Sequence, residues 1–322
     1  QLIGAENASS ISLLPSVSYG IATAAKNVPV RKGQNIVLLH EQFPSNVYTW
    51  QRVASDARVA IRTVKLPSSG TNRSRAWTDA ILEQIDSDTA VVAMPIVHWT
   101  DGTLFDVAAI GRKAHKFGAA LILDGTQSVG ALPFDVQEVR PDALIVGGYK
   151  WLMGPYSCGL AYWGDRFANG VPLEENWINR LGSENFAGLV DYQAGYELGA
   201  TRFDVGEKSN FALLPMLNEA LCMLLEWGPQ NIQNYLSNLL QPWEDSSRNL
   251  GFQLGPSSSR GSHLFGLHLP PNLDVERVKN ALISKSVSVS VRGKAIRVAP
   301  HVYNTSEDMQ ALVDALEVSL TY

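Results

Sequence analysis

Ala120-Leu121-Ile122-Leu123-Asp124 is an apolar run that ends in an acid, and Gly125-Thr126-Gln127-Ser128-Val129-Gly130 follows it directly. A second apolar run, Ala143–Val146, is followed by Gly147-Gly148-Tyr149-Lys150. Both runs have the length and composition of buried β-strands. In open α/β sheets, ligands bind outside the carboxyl ends of the strands. We therefore expect Asp124 and Lys150 to face one ligand from neighbouring strand ends.

Further apolar runs indicate the class of the fold. With the two above they form a series separated mostly by segments of helical period: Asn35–His40, Val59–Val64, Ala90–Met94, Ala120–Asp124, Ala143–Val146 and Gly159–Trp163. Their apolar character is continuous rather than alternating, which is typical of strands that are covered on both faces. The sequence predicts an α/β fold, with a mainly parallel sheet sandwiched by helices.

The pattern changes after a long helical stretch at Phe211–Leu250. A Ser-rich loop comes next, and then short strand-like and helix-like segments at Leu264–Leu269, Asp274–Ser284, Val287–Val291, Ala295–Val298 and Thr305–Leu320. This predicts a smaller α+β domain at residues 229–322 beside a large domain at residues 1–228.

Composition excludes several classes of partner. The net charge is -5, and no basic run with interleaved aromatic residues suggests a nucleic-acid surface. The most apolar stretch, Phe211–Trp227, is too polar to span a bilayer and predicts a core helix. Two cysteines, Cys158 and Cys222, cannot build a disulfide framework, so we expect a reducing cytoplasm. The chain opens in Gln1-Leu2-Ile3-Gly4 as though part-way through an element, so we expect an upstream segment to be missing.

An acid and a lysine that face one planar ligand are what pyridoxal 5'-phosphate (PLP) requires. The carboxylate of Asp124 keeps the ring nitrogen protonated, and the amine of Lys150 holds the cofactor as a Schiff base. Taken singly, Asp124 could cap a turn and Lys150 could be a solvated surface lysine. Their spacing, with Gln127 between them, favours the cofactor.

Two motifs carry a resemblance to a known family. Asp124-x-x-Gln127-Ser128-x-Gly130 and Lys150-x-x-x-Gly154-Pro155 resemble the class V aminotransferases, which are PLP enzymes of fold type I. That family includes cysteine desulfurases, selenocysteine lyases, kynureninases and isopenicillin N epimerases. The resemblance implies an enzyme that acts on a small amino acid through an external aldimine, and a homodimer with shared active sites.

The resemblance also implies roles for individual residues. Gln127 would donate a hydrogen bond to the phenolic oxygen of the cofactor. Ser16, Val17 and Ser18 open a predicted helix, where backbone N–H groups and the helix dipole favour a phosphate. Tyr149 stands where relatives often carry a histidine, and it could supply a second phosphate hydroxyl. The simpler alternatives are a turn-stabilising amide for Gln127 and an ordinary N-cap for Ser16.

The remaining candidates lie further from the two motifs. Phe43 stands where relatives stack a histidine on the ring, and otherwise packs in the core. His98, in a register that allows a shift of one residue, could contact the substrate or the phenolic oxygen of the cofactor, and otherwise it is structural. Arg297 resembles the arginine that binds the substrate carboxylate through its guanidinium fork. The segment Arg202–Asn210 resembles the one that reaches the partner's phosphate site, where Lys208, Ser209 or Asn210 could be the donor.

The chemistry itself stays open at this point. Transamination, elimination, epimerisation and kynureninase-type hydrolysis share their early steps, and a degenerate non-catalytic PLP-binding relative is a further alternative. A persulfide-forming desulfurase is not expected. The stretch before Arg297, from Ser286 to Ala295, has no cysteine. Cys158 and Cys222 are both predicted to be small buried hydrophobic residues of low reactivity.

Overall fold

The computed structural model describes residues 1–67, 72–292 and 295–321. A central sheet contains seven strands within these residues, in the spatial order β1-β7-β6-β5-β4-β2-β3. In chain order they are β1 (Ile11–Leu14), β2 (Asn35–Leu39), β3 (Ala60–Val64), β4 (Thr89–Pro95), β5 (Ala120–Asp124), β6 (Ala143–Gly147) and β7 (Gly159–Trp163). Strands β2 to β6 are parallel, whereas β7 is antiparallel to both β6 and β1. The predicted mainly parallel sheet is confirmed.

Helices flank this sheet, and further helices follow its last strand along the chain. Along the chain they are α1 (Val17–Asn27), α2 (Tyr48–Ala57), α3 (Arg73–Gln84), α4 (Val107–Lys116), the short α5 (Val136–Val139), α6 (Leu213–Trp227), α7 (Pro229–Asn249), α8 (Val275–Ser284) and α9 (Ser306–Thr321). Both faces of the sheet are buried, as strand β5 shows. Leu121 and Leu123 join one hydrophobic core, and Ala120 and Ile122 join the core on the opposite face.

A second sheet of four antiparallel strands comes after α7. Its strands are β8 (Gln253–Leu254), β9 (Phe265–His268), β10 (Ser290–Arg292) and β11 (Ala295–Val298), in the spatial order β10-β11-β9-β8. It packs with α8 and α9 around a separate core that includes Phe265, Leu282 and Leu316.

Three predictions about secondary structure and burial need correction. The stretch Phe211–Leu250 is two helices, because Gly228 interrupts it with φ 76° ahead of Pro229. Cys222 was expected to be buried but is exposed on α6, whose buried residues are Leu217, Ala220 and Leu224. The strand expected at Val287–Val291 begins later, at Ser290. Across the described ranges, no helix combines the length and the apolar character that crossing a membrane requires.

Candidate active site

A cavity of about 240 Å³ lies at the carboxyl ends of β4, β5 and β6. Most of the residues predicted from the sequence line it, namely Ser16, Val17, Ser18, Phe43, Asp124, Gln127, Tyr149 and Lys150. A second cavity of about 330 Å³ shares Gln127 and Lys150 with the first and adds Arg297. The two cavities are neighbours, because Lys150 and Gln127 belong to the walls of both, and we treat them together as one candidate site.

Asp124 is the last residue of β5, and its carboxylate is buried. Its Oδ1 accepts a hydrogen bond from the main-chain N–H of Thr126 at 2.9 Å. Burial raises the pKa of Asp124, while the bonds from Thr126 and the positive charge of Lys150 oppose that rise. The Thr126 hydroxyl in turn accepts a bond from the N–H of Gly147 at 3.1 Å, so Thr126 ties the β5 end to the β6 end.

Lys150 lies in a loop that main-chain bonds close. The N–H of Gly148 donates to the carbonyl of Cys158, and the N–H of Gly154 donates to the carbonyl of Gly148, both at 2.8 Å. A Cβ at Gly148 would lie 2.6 Å from the Cys158 oxygen, so this approach requires glycine. The Lys150 Nζ lies 5.4 Å from the centroid of the Phe43 ring. Burial lowers the pKa of Lys150, Asp124 opposes this, and nearby arginines lower it further.

Gln127 is held at both its side chain and its main chain. The indole N–H of Trp151 donates to Gln127 Oε1 at 3.2 Å, and His263 Nε2 lies 2.8 Å from the Gln127 carbonyl. Burial lowers the pKa of His263 to about 4, so its ring is neutral at pH 7 and donates from Nε2. Because an indole N–H can only donate, the Gln127 oxygen points to Trp151. The amide NH₂ is therefore available to the cavity.

The N-terminus of α1 offers a site for an anion. Ser16 is the N-cap, and its Oγ accepts from the N–H of Tyr19 at 3.2 Å and lies 2.9 Å from Ser18 Oγ. Within the described residues, no acceptor satisfies the N–H groups of Val17 and Ser18. Hydroxyls and unpaired N–H groups at the positive end of a helix are what a phosphate binds.

Arg297 projects from β11. One of its terminal nitrogens donates to the carbonyl of Trp99 at 2.9 Å, and the other lies 3.4 Å from Ser290 Oγ. Its Nε is buried without a hydrogen-bond partner among the described residues. Arg297 also lines the second cavity together with Lys150.

The structure does not bring three predicted residues to the cavity. His98 is 1% exposed and packs on Trp77, with its ring nitrogens near Thr100 Oγ1 and the His40 carbonyl. Ser209 and Asn210 are exposed, and Asn210 accepts N–H bonds at the start of α6. In a single chain these two residues do not reach the site, so their assignment to a partner's phosphate site stays a prediction.

Several residues that line or support the site were not predicted from the sequence. Trp99, not His98, lines the cavity, and its ring meets Phe43 edge-on at 5.5 Å. This is the one-residue shift that the sequence register allowed. Thr126 lies inside the motif that was recognised in the sequence. Its role could have been predicted, because it follows Asp124 by two residues. The role of Trp151 depends on contacts between distant segments, and no sequence pattern predicts it.

The side chains present fit PLP. A buried carboxylate, an amine and an anion-binding helix start surround one cavity, and Gly147 leaves space on its wall. A Cβ at Gly147 would lie 3.2 to 3.4 Å from Tyr149, Thr126 and Val17 and would take up part of that space. Within residues 1–67, 72–292 and 295–321, no three His, Cys, Asp or Glu side chains cluster to hold a metal ion.

Comparisons with known proteins show sequence similarity over nearly the whole chain. A sequence model described as aminotransferase class-V matches residues 1–312. The chain is 27% identical over 323 residues to the uncharacterized aminotransferase YcbU of Bacillus subtilis, covering 98% of this chain and 80% of that protein. It is also 27% identical over 346 residues to a probable cysteine desulfurase of Methanothermobacter thermautotrophicus, covering 98% and 81%.

Solved structures share the fold. A C-DES mutant structure, with glycine covalently linked to its PLP cofactor, superposes with a TM-score of 0.82 at 17% identity. The alignment covers 96% of this chain and 81% of that one.

Proposed function

Because the chain belongs to the class V aminotransferase family, whose enzymes depend on PLP, we propose that it acts on the α-amino group of a small amino acid by aminotransferase or lyase chemistry. The observation that carries this proposal is the position of the Lys150 amine and the buried Asp124 carboxylate on the walls of one cavity. An epimerase or a kynureninase-type hydrolase on the same scaffold is the alternative.

Each residue of the proposed site has a physical role. When bound, PLP supplies an electron-accepting ring that stabilises negative charge at the substrate's α-carbon. Asp124 holds a proton on the ring nitrogen, and burial strengthens that interaction because little water screens it. Lys150 binds the cofactor and moves the proton at the α-carbon. Phe43 covers the ring, and a phenyl group cannot transfer protons, so this task falls to Lys150.

The phosphate of the cofactor and the α-carboxylate of the substrate are held at opposite ends of the proposed site. Ser16, Val17 and Ser18 bind the phosphate through N–H and O–H groups, and Tyr149 adds a phenol at the cavity wall. Arg297 binds the substrate's α-carboxylate. A lysine there cannot reproduce two parallel N–H bonds. Arg297→Lys should raise KM for amino acids about 10- to 100-fold, as the loss of a charge-assisted bond implies.

We also propose that this enzyme forms no persulfide. Ser286–Ala295 carries no cysteine, and Cys222 is not among the residues that line either cavity. Cys158 does line the first cavity, but it is 8% exposed and burial raises its pKa, which disfavours the reactive thiolate.

A homodimer with shared sites belongs to the same proposal. Large apolar side chains stand exposed between β7 and α6, among them Phe186, Tyr192, Leu198 and Phe211. Several large exposed apolar side chains in one segment support an interaction surface there. Sedimentation equilibrium should give twice the chain mass, and a monomer that turns over amino acids would contradict this part. The cytoplasmic location remains a prediction.

The proposed function is tested with a panel of amino acids. We expect the purified protein to acquire a visible absorption band with added PLP, and one or more amino acids to change this band and yield product. The product separates the reactions: a keto acid for transamination, loss of a β-substituent for elimination, and inversion for epimerisation. Cofactor binding without turnover of any amino acid would favour the non-catalytic alternative. A protein that stays colourless would refute the proposal.

Asp124→Asn provides a second test of the proposed function. The change keeps the size of the side chain and removes its charge. It should lower turnover more than cofactor affinity, because the charge matters most when electrons move into the ring. Equal losses in turnover and affinity would contradict this role.

A further inference from the structure

Two arginines lie on the same face of the β10–β11 hairpin. Ser290 pairs with Arg297, and Arg292 pairs with Ala295. Side chains two residues apart along a strand share a face, so Arg292 lies beside Ser290 and diagonally across from Arg297. The hairpin therefore presents two guanidinium groups on one side.

Both arginines converge on Trp99, whose ring lines the cavity that holds Asp124 and Lys150. The guanidinium carbon of Arg292 lies 5.3 Å from the centroid of the Trp99 ring. Arg297 donates to the carbonyl of Trp99 at 2.9 Å. Arg292 is therefore a second cation beside the proposed carboxylate site.

Within the part of the chain that the structure describes, neither arginine has an anionic partner. Among the described residues, no carboxylate lies within ion-pair distance of Arg292 or Arg297, and the Nε of each is buried without an acceptor. The residues outside the described ranges, 68–71, 293–294 and 322, include no Asp or Glu. By contrast, Arg73 pairs with Asp101 and Arg260 pairs with Glu244.

The uncompensated charge raises the energy of this part of the site. Arg292 lowers the pKa of Arg297, although burial contributes more, and it also lowers the pKa of Lys150. The position of its guanidinium group over the Trp99 ring stabilises Arg292, but it does not cancel a charge. One α-carboxylate can form the bidentate pair with only one of the two guanidinium groups.

From this geometry we infer that the substrate is an amino acid with an anionic side chain, which pairs with Arg292 while its α-carboxylate pairs with Arg297. The inference rests on the proposed function and narrows its substrate to dicarboxylic amino acids or amino acids with an equivalent side-chain oxyanion. A substrate with a neutral side chain would leave Arg292 partly buried and unpaired. The free-energy difference between such a substrate and an anionic one appears as specificity for the anionic one.

Matched acid and amide substrates test the inference. In PLP-loaded protein, aspartate is compared with asparagine, and glutamate with glutamine. The acid member of at least one pair should exceed its amide in kcat/KM by about 10- to 100-fold, the worth of a charge-assisted bond. Arg292→Met, which keeps an unbranched chain against Trp99, should abolish this ratio by slowing the acid alone. Arg297→Lys should slow acid and amide by similar factors.

A binding measurement makes the test independent of turnover. Calorimetry on the PLP-loaded protein should show that succinate binds about 10-fold or more tightly than its monoamide, and that Arg292→Met removes this difference. Arg277→Met, on the exposed side of α8, is the matched control and should change neither ratio.

Three results would overturn the inference. The first is that both asparagine and glutamine react as fast as their acids, with product formed, which would leave the proposed function intact. The second is equal binding of succinate and its monoamide. The third is a loss of PLP affinity in Arg292→Met with the acid-to-amide ratio unchanged, which would assign Arg292 to the cofactor's phosphate. Absence of turnover with every amino acid would instead refute the proposed function, and the succinate result would still decide the inference.

Discussion

Replacing Trp151 with phenylalanine removes one indole N–H and keeps an aromatic ring. That N–H donates to Gln127 Oε1, and Trp151 is 8% exposed. The ring also stacks on His301, with centroids 5.6 Å apart and planes 16° apart, and meets His263 edge-on at 4.8 Å. Phenylalanine preserves much of this packing, so the main loss is the hydrogen bond that fixes the orientation of the Gln127 amide.

The size of the effect depends on the burial of that oxygen. Leaving a buried acceptor unsatisfied costs about 1–3 kcal/mol. If the Gln127 amide rotates to recover a partner, its NH₂ no longer faces the cavity and the cofactor loses a donor. The loss of this donor should weaken PLP affinity by about 5- to 100-fold, at tenfold per 1.4 kcal/mol. The visible band of the lysine-bound cofactor should also titrate at higher pH, because the phenolic oxygen loses a stabilising donor.

The assay is PLP titration of the apoprotein together with a pH titration of the visible band. Trp163→Phe is the matched control, because the indole of Trp163 is also buried and donates one bond, to Ser12 Oγ at 2.7 Å, away from the cavity. Both variants should lose thermal stability. Only Trp151→Phe should change PLP affinity and the spectral titration. Equal effects on PLP binding in the two variants, or none in either, would refute this role of Trp151.

Three further predictions concern ionisable groups. The double change Cys158→Ala and Cys222→Ala should keep cofactor binding and most activity, and a sulfur-loaded cysteine detected by intact mass after incubation with cysteine would contradict this. His263, with a pKa near 4 in the folded chain against 6.5 in the unfolded chain, should lose its contribution to stability as pH falls from 6.5 towards 4. This amounts to about 3 kcal/mol, and His263→Gln should flatten the wild-type slope in urea unfolding at pH 4 to 7, whereas equal slopes would refute it. Lys150 should capture PLP at lower pH than an exposed lysine does, because burial depletes its charged form; stopped-flow rates that level off only where free lysine titrates would argue against this.

Strands buried on both faces could be predicted closely from the sequence. The run Ala120–Asp124 coincides with β5, because a continuous apolar run between polar turns permits little else. Strand β1 was missed. Its four residues, Ile11–Leu14, pair antiparallel with β7 at the edge of the sheet, far along the chain. A short edge strand of this kind is defined by its distant partner and carries little signal of its own.

In the candidate site, too, residues defined by local sequence could be predicted, whereas residues defined by distant contacts could not. Asp124 and Lys150 were placed correctly in one cavity because both follow parallel strands, whose ends share an edge. Whether His98 or Trp99 faces that cavity depends on the packing of Trp77 from α3 against His98, which local sequence does not specify. Cys222 was misplaced because α6 is apolar on more than one side.

Arg292 was overlooked for a related reason. Its closeness to Arg297 comes from the pairing of β10 with β11 and not from any motif. Once the hairpin register is known, the two guanidinium groups are seen to share a face.

Reduction of the PLP-loaded protein with borohydride, followed by peptide mapping, tests the role of Lys150 most directly. This treatment converts a Schiff base into a stable amine and marks the lysine that held the cofactor. The label should appear on the peptide that contains Lys150, at one cofactor per chain, and Lys150→Ala should lose both the label and turnover. Label on another lysine such as Lys208, or equal labelling of Lys150→Ala, would contradict the assignment of Lys150 as the cofactor-binding residue.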